Sequence, residues 1–182
     1  QKNKEGYPFL VKILVEKSIP QVEKSIPQVE KYKNHKTLGQ LYSQLAIILT
    51  YNAEFEKAFE YNTKSIKLLE KNAPHSPELF FAYLNTASNF CYQAKGDEAK
   101  KFLDKAEKLI QPYPESSSKA SFYYGKTLYF ITKQKNEEAL PMIEKGLVYA
   151  KKSNQNLLTQ MFYLNKYDIL RKQNKLTEAK KV

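Results

Sequence analysis

Cysteine, histidine, glycine and arginine are all scarce in this chain. Its 182 residues include one cysteine, Cys91, so no disulfide can form within the chain. A helical domain needs none in any compartment, and localisation is left open. The two histidines, His35 and His75, lie far apart with no cysteine near His75 and no His-x-x-x-His pair, so no metal site is expected. Five glycines, with abundant Lys, Glu, Leu and Ala in long turn-free stretches, lean towards an all-α protein. No apolar run approaches the ~18 residues of a membrane span, and no secretory h-region is present, so no direct membrane insertion is expected. A Gly-rich phosphate loop, a Gly-x-Ser-x-Gly elbow and a paired His and Cys are likewise missing. The chain is therefore read as non-enzymatic, with no catalytic residue and no cofactor. It opens at Gln1 and stops at Val182, just after the helix-like start Leu176-Thr177-Glu178-Ala179, which gives the expectation of a piece of a longer protein.

What is present begins with charge. Thirty Lys+Arg against 19 Asp+Glu give a formal +11, a signature that could point to nucleic acid. Arg171 is the only arginine, however. Arginine's planar fork is the commoner reader of guanine edges and phosphates, so a lysine surplus is a weak signal. Lysines such as Lys64, Lys67 and Lys71, or Lys101, Lys105 and Lys108, fall on second helices in the reading below. We expect a solvated outer face there, and no nucleic-acid partner.

The decisive feature is repetition. Alanines preceded by a polar or acidic step stand at Ala58, Ala99, Ala139 and Ala179, at steps of 41, 40 and 40. Seven residues after the first three come Ser65, Ala106 and Gly146. Tyr42, Tyr83, Tyr123 and Tyr163 recur with the same steps. Each period holds two helical patterns. Leu41, Leu45, Ile48 and Leu49 keep three-and-four spacing, and after Asn52-Ala53-Glu54 so do Phe55, Ala58, Phe59, Ile66 and Leu69. Ser76-Pro77-Glu78 supplies an N-cap serine and a first-turn proline for the next helix. Residues 112–117, Pro-Tyr-Pro-Glu-Ser-Ser, read as a connecting loop. Small residues seven apart share one helix face and admit a close neighbour, and the recurring tyrosines fill the remaining space. Asp97-Glu98 and Glu137-Glu138 open helices, where they meet the positive end of the helix dipole. Cys91, beside Phe90 and Tyr92, reads as a small packed hydrophobe.

This register resembles the tetratricopeptide repeat (TPR) family in its longer, about 40-residue form. The matching positions are Tyr42, Ala46, Ala58 and Ser65, then Tyr83, Ala87, Ala99 and Ala106, then Tyr123, Thr127, Ala139 and Gly146. Tyr163 and Ala179 continue it, while Tyr167 stands where a small residue is expected. The resemblance implies an all-α, right-handed α-α superhelix of about four helix-turn-helix repeats over residues 37–182. It also implies a protein or peptide partner in a concave groove lined by first helices. Beside the early aromatics, the groove candidates are Ser43, Gln44, Leu84, Asn85, Ser88, Tyr124, Asn165 and Asp168. The Lys and Asn that grip a C-terminal carboxylate in chaperone-binding members are replaced by Ser43 and Ile47, so that ligand is not expected. The resemblance further implies a sensory or scaffold part of a larger bacterial signalling or regulatory protein. A nucleic-acid-binding basic domain and a dimerisation spacer are the alternatives, and a homodimer is left open.

Residues 1–36 form an atypical N-terminal repeat or helical cap. The heptad Val15-Glu16-Lys17-Ser18-Ile19-Pro20-Gln21 is copied at 22–28, and Val29-Glu30-Lys31 starts a third copy. Val15, Ile19, Val22, Ile26 and Val29 keep coiled-coil spacing, yet an interior proline costs about 3 kcal/mol in a helix. Pro20 is excused if a helix starts near Ser18, and Pro27 then kinks that helix or starts another.

Overall fold

The computed structural model describes residues 6–110 and 116–179, and among these it contains nine helices and no strand. They are α1 (Gly6–Lys31), α2 (His35–Tyr51), α3 (Phe55–Asn72), α4 (Pro77–Tyr92), α5 (Gly96–Ile110), α6 (Ser116–Thr132), α7 (Asn136–Lys152), α8 (Asn156–Lys172) and α9 (Leu176–Ala179). Most of the proposed 112–117 loop lies outside the described residues. The chain is a solenoid of helix pairs: α2 with α3, α4 with α5, α6 with α7, and α8 with the start of α9.

One asymmetry shapes it. Each first helix packs on the next, α2 on α4, α4 on α6 and α6 on α8, whereas α3, α5 and α7 make no contact with one another. First helices thus form a tight inner layer and second helices a splayed outer one. That arrangement makes the first-helix side concave.

The repeated residues account for this packing. Ala58, Ala99, Ala139, Ser65 and Ala106 are fully buried. Ser65 donates its hydroxyl to the Gly39 carbonyl at 2.7 Å, a distance that a bulkier residue would forbid. Tyr42 and Tyr83 reach back to the preceding second helix, donating to Glu30 and Glu70 at 2.9 and 2.6 Å. Those glutamates are themselves 40 residues apart. The turn also repeats. Ala53, Ala94, Gln134 and Asn174 adopt φ of 61, 59, 57 and 58°. The next N–H in each case bonds the carbonyl five residues back, as Glu54 does to Leu49 at 2.9 Å and Lys95 to Phe90 at 2.9 Å. This is a Schellman-type stop made without glycine.

At the N-terminus, α1 is one helix from Gly6, so Pro20 and Pro27 are both interior and Pro20 is not a first-turn residue. Both prolines are exposed, so the carbonyls they leave unpaired can be hydrated. Ile19, Val22 and Ile26 pack on Leu45, Leu49 and Ala58, which gives α1 the place of a second helix before α2. The heptad copies allow a sharp test. Deleting residues 22–28 moves Val15, Glu16 and Ile19 into the places of Val22, Glu23 and Ile26, with Lys12 replacing Ile19. The loss should be about one apolar side chain, ~1.5–3 kcal/mol, with α2–α9 intact. Removing seven residues from α4 should abolish folding, and equal loss of helical signal from both deletions would refute the docking of α1.

The last repeat is the open one. Tyr167, in the place of the buried Ala46, Ala87 and Thr127, is 41% exposed. Its own second helix is described only as far as Ala179.

Candidate functional site: the concave groove

Two adjoining pockets line the concave side and share Phe81 and Asn85 as walls. The first, about 280 Å³, is bounded by Gln40, Ser43 and Gln44 of α2 and by Pro77, Glu78, Phe81 and Asn85 of α4. The second, about 170 Å³, draws on four successive first helices: Ile47 and Tyr51, then Leu84 and Ser88, then Ser121 and Tyr124, then Leu158 and Met161. Each set recurs at three, four or seven residues along its helix, so one stripe per helix faces inward.

Six of the eight expected groove residues meet here: Ser43, Gln44, Leu84, Asn85, Ser88 and Tyr124. Gln44 is exposed, Asn85 and Tyr124 are half-buried, and Ser43, Leu84 and Ser88 are buried between helices. The other two line neither pocket. Asn165 stands beside Tyr124 on the neighbouring first helix, and Asp168 faces Arg171 at 4.0 Å. Gln40, Ile47, Tyr51, Glu78, Phe81, Ser121, Leu158 and Met161 were not anticipated. Stepping three, four and seven residues from Gln44 and Asn85 around the helix would have found those on α2 and α4.

Hydrogen bonds set what the groove can offer. Asn85 Nδ2 donates to Ser43 Oγ at 2.7 Å, joining the first two repeats. The equivalent Asn165 stands beside Tyr124, between the last two repeats. Asn85 is thus an inter-repeat fastener, and it keeps its amide oxygen for the pocket. Beside the second pocket Tyr51 and Tyr92 meet edge-on at 6.1 Å, with Tyr124 next to them.

Desolvation around its hydroxyl, then the neighbouring Tyr92, pushes Tyr51 up to about 12, although the residue is 49% exposed and solvent screens part of the effect. Burial, aided by Tyr92 and Tyr51, raises Tyr124 as well. In the unfolded chain these phenols ionise near pH 10. Between pH 10 and about 12 the unfolded state therefore holds fewer protons than the folded one, and stability falls as pH rises through this window. Thermal melts should be level from neutral pH to 9 and drop steeply above 10. A phenylalanine at position 51 should soften that drop. Cys91 is also protected: it is buried, and burial raises its thiol to about 11. Native protein should react with a thiol-specific disulfide reagent at neutral pH only as fast as it unfolds, and rapid labelling would refute that burial.

No metal-holding cluster of His, Cys, Asp or Glu occurs among the described residues. No helix among them is long and apolar enough to cross a membrane. Charge on the outer side is dispersed in ion pairs between helices, such as Lys126–Glu107 at 2.6 Å and Lys166–Glu144 at 2.7 Å.

Two solved structures share this architecture. One is BtubC (BKLC) from P. vanneervenii, with a TM-score of 0.69 and 16% identity over 91% of this chain and 69% of that one. The fold is the TPR-like helical repeat. A second TPR-like array, a putative kinesin light chain of nearly identical repeats from Podosopora anserina, gives a TM-score of 0.61. It is 13% identical over 92% of this chain and 82% of that one. The sequence matches no protein-family model and no curated protein. The TPR-like likeness therefore rests on three-dimensional packing, the level at which the small residues and tyrosines act.

Proposed function

We propose that this chain is a non-enzymatic module that binds a protein segment in its concave groove. We place it as the sensory or scaffold part of a larger bacterial signalling or regulatory protein. The observation that carries the binding reading is the second pocket, whose walls come from α2, α4, α6 and α8 together. A surface assembled from four repeats suits a ligand that is itself extended. Tyr51, Tyr124, Ser88, Ser121 and Asn85 combine apolar contact with hydrogen-bonding tips, the composition of adaptable interfaces.

The test is selection from a random display library of short peptides on the immobilised protein, followed by solution binding of the enriched sequences. Met161→Glu, which puts a charge into the second pocket, should weaken them at least about tenfold. Undiminished binding would overturn the groove. Tight, steeply salt-dependent binding of random duplex DNA, unaffected by Met161→Glu, would favour the nucleic-acid alternative.

A further inference from the structure

Although the chain carries +11, the two groove pockets contain no lysine or arginine among their lining residues. Among the described residues, their sole charged lining side chain is Glu78, in the first pocket. Eight other described carboxylates stand within 4.0 Å of a lysine or arginine nitrogen, Glu54, Glu70, Asp97 and Glu107 among them. Glu78, like Glu23, Glu30 and Glu137, has no such partner among the described residues, and what sets it apart is that its Oε2 is buried without a hydrogen bond. Its position in the first turn of α4 lets it meet the positive end of that helix. The N-terminal capping bond there is already made by Ser76, however, which accepts from the Leu79 N–H. A half-buried carboxylate with spare acceptor capacity lacks a donor.

What surrounds it suits a cation. Gln40, Gln44 and Asn85 carry side-chain amides at its wall, each with an oxygen that can accept, and the Ser43 hydroxyl is already bonded to Asn85. Phe81, half-buried, supplies an aromatic wall shared with the second pocket. A guanidinium or ammonium here would gain a charge-assisted bond to Glu78, neutral acceptors for its remaining N–H groups, and a ring within reach. The next pocket is apolar and uncharged, with Leu84, Leu158 and Met161 in its walls. In an extended chain, side chains on one face follow every second residue, about 7 Å apart, a spacing suited to adjoining pockets.

We infer that the groove selects an extended segment of a partner protein with a basic side chain, arginine in preference to lysine, seated against Glu78. An aliphatic or aromatic side chain of the same segment enters the Leu84–Met161 pocket. Arginine leads because its planar fork can engage the carboxylate and a glutamine oxygen together. Eleven lysines lie on the second helices α3, α5 and α7, and the basic residues of the first helices, such as Lys126 and Lys166, line neither pocket. Lys64, Lys67 and Lys71, for example, line a separate outer groove with His35. This inference rests on the groove being the binding surface.

The experiment uses the peptides enriched in the display selection. Each is synthesised with arginine, with citrulline as its neutral isostere, and with glutamate at the conserved basic position. Binding is measured by fluorescence anisotropy to the full chain and to Glu78→Gln, after melts establish that the variant is folded. The intact protein should prefer arginine to citrulline roughly five- to tenfold, and the glutamate peptide should bind weakest. In Glu78→Gln the arginine advantage should collapse to about one. Enriched peptides without a basic residue, or an arginine preference unchanged in Glu78→Gln, would overturn the assignment. In that case binding that is still lost in Met161→Glu leaves the groove standing. Failure to enrich any sequence would count against both.

Discussion

Gly146→Ala is expected to destabilise the protein by about 1–3 kcal/mol, although the same change inside a helix usually stabilises by up to about 1 kcal/mol. Gly146 lies within α7, where alanine would ordinarily save backbone entropy. A Cβ built there, however, would meet Phe162 Cζ at 2.1 Å and Cε1 at 2.5 Å. Phe162 is itself wholly buried among Ala139, Ile143 and Leu147. A ring held on all sides can yield only by pushing α8 away from α7. Thermal melts should show a fall of roughly 2–4 °C per kcal/mol for a chain of this size. Phe162→Leu should cost less in the Gly146→Ala background than alone, because the smaller side chain relieves the clash. An unchanged or raised melting temperature for Gly146→Ala would show that the two helices are not packed this closely.

Asn62→Leu should move stability the other way, raising it by about 1–3 kcal/mol. Asn62 is 0% exposed, and neither its Nδ2 nor its Oδ1 has a hydrogen-bond partner. The contrast with Asn89 is instructive. Asn89 is equally buried, yet it donates to Thr50 Oγ1 at 3.1 Å and to the Phe55 carbonyl at 3.2 Å, and accepts from Gln93 at 2.6 Å. Asn89 therefore recovers its desolvation and Asn62 does not. Leucine has the same branched four-atom outline as asparagine, so it replaces two unsatisfied polar atoms with methyl groups. The repeat register supports the choice: the equivalent positions of the next two repeats hold Leu103 and Ile143, both buried. Denaturant unfolding should show a higher midpoint with unchanged slope. A lower midpoint would mean that Asn62 finds a partner in solution.

The fold was legible because its signals are periodic and redundant. Ala58, Ala99 and Ala139, with Tyr42, Tyr83 and Tyr123, each mark a packing demand that recurs every 40 or 41 residues. Several such demands in one register admit few architectures. The turns were located by the same arithmetic, but their left-handed residues were not. Ala53, Ala94 and Gln134 are not residue types that announce positive φ, and the helix–helix packing imposes it. In α1 the prolines pointed to a helix starting near Ser18 and kinked or restarted at Pro27. The helix continues because both rings face water and its apolar side packs on α2.

The groove was legible only in part. Ser43, Gln44, Leu84, Asn85, Ser88 and Tyr124 were within reach because they neighbour the recurring tyrosines. Phe81 and Glu78 lie one and two helical turns before Asn85, but Leu158 and Met161 enter through the curvature that brings α4 and α8 around one pocket, which a helical period cannot express. Asn85 illustrates the remaining ambiguity: its side chain suits a ligand and a fastener equally in sequence, and its 2.7 Å bond to Ser43 decides how its amide is used.

By itself, then, the sequence determined the helix pairs, their period and the faces turned to the core. Those features depend on residues close along one helix, where spacing and geometry are the same thing. Only the tertiary structure decided that first helices touch while second helices splay, that Gly146 is locked under Phe162, and that Asn62 is left unsatisfied. It also decided that, in a basic chain, the one charged residue among the described lining of the two groove pockets is a carboxylate. These depend on distances between helices about 40 residues apart in sequence, set by the sum of many contacts.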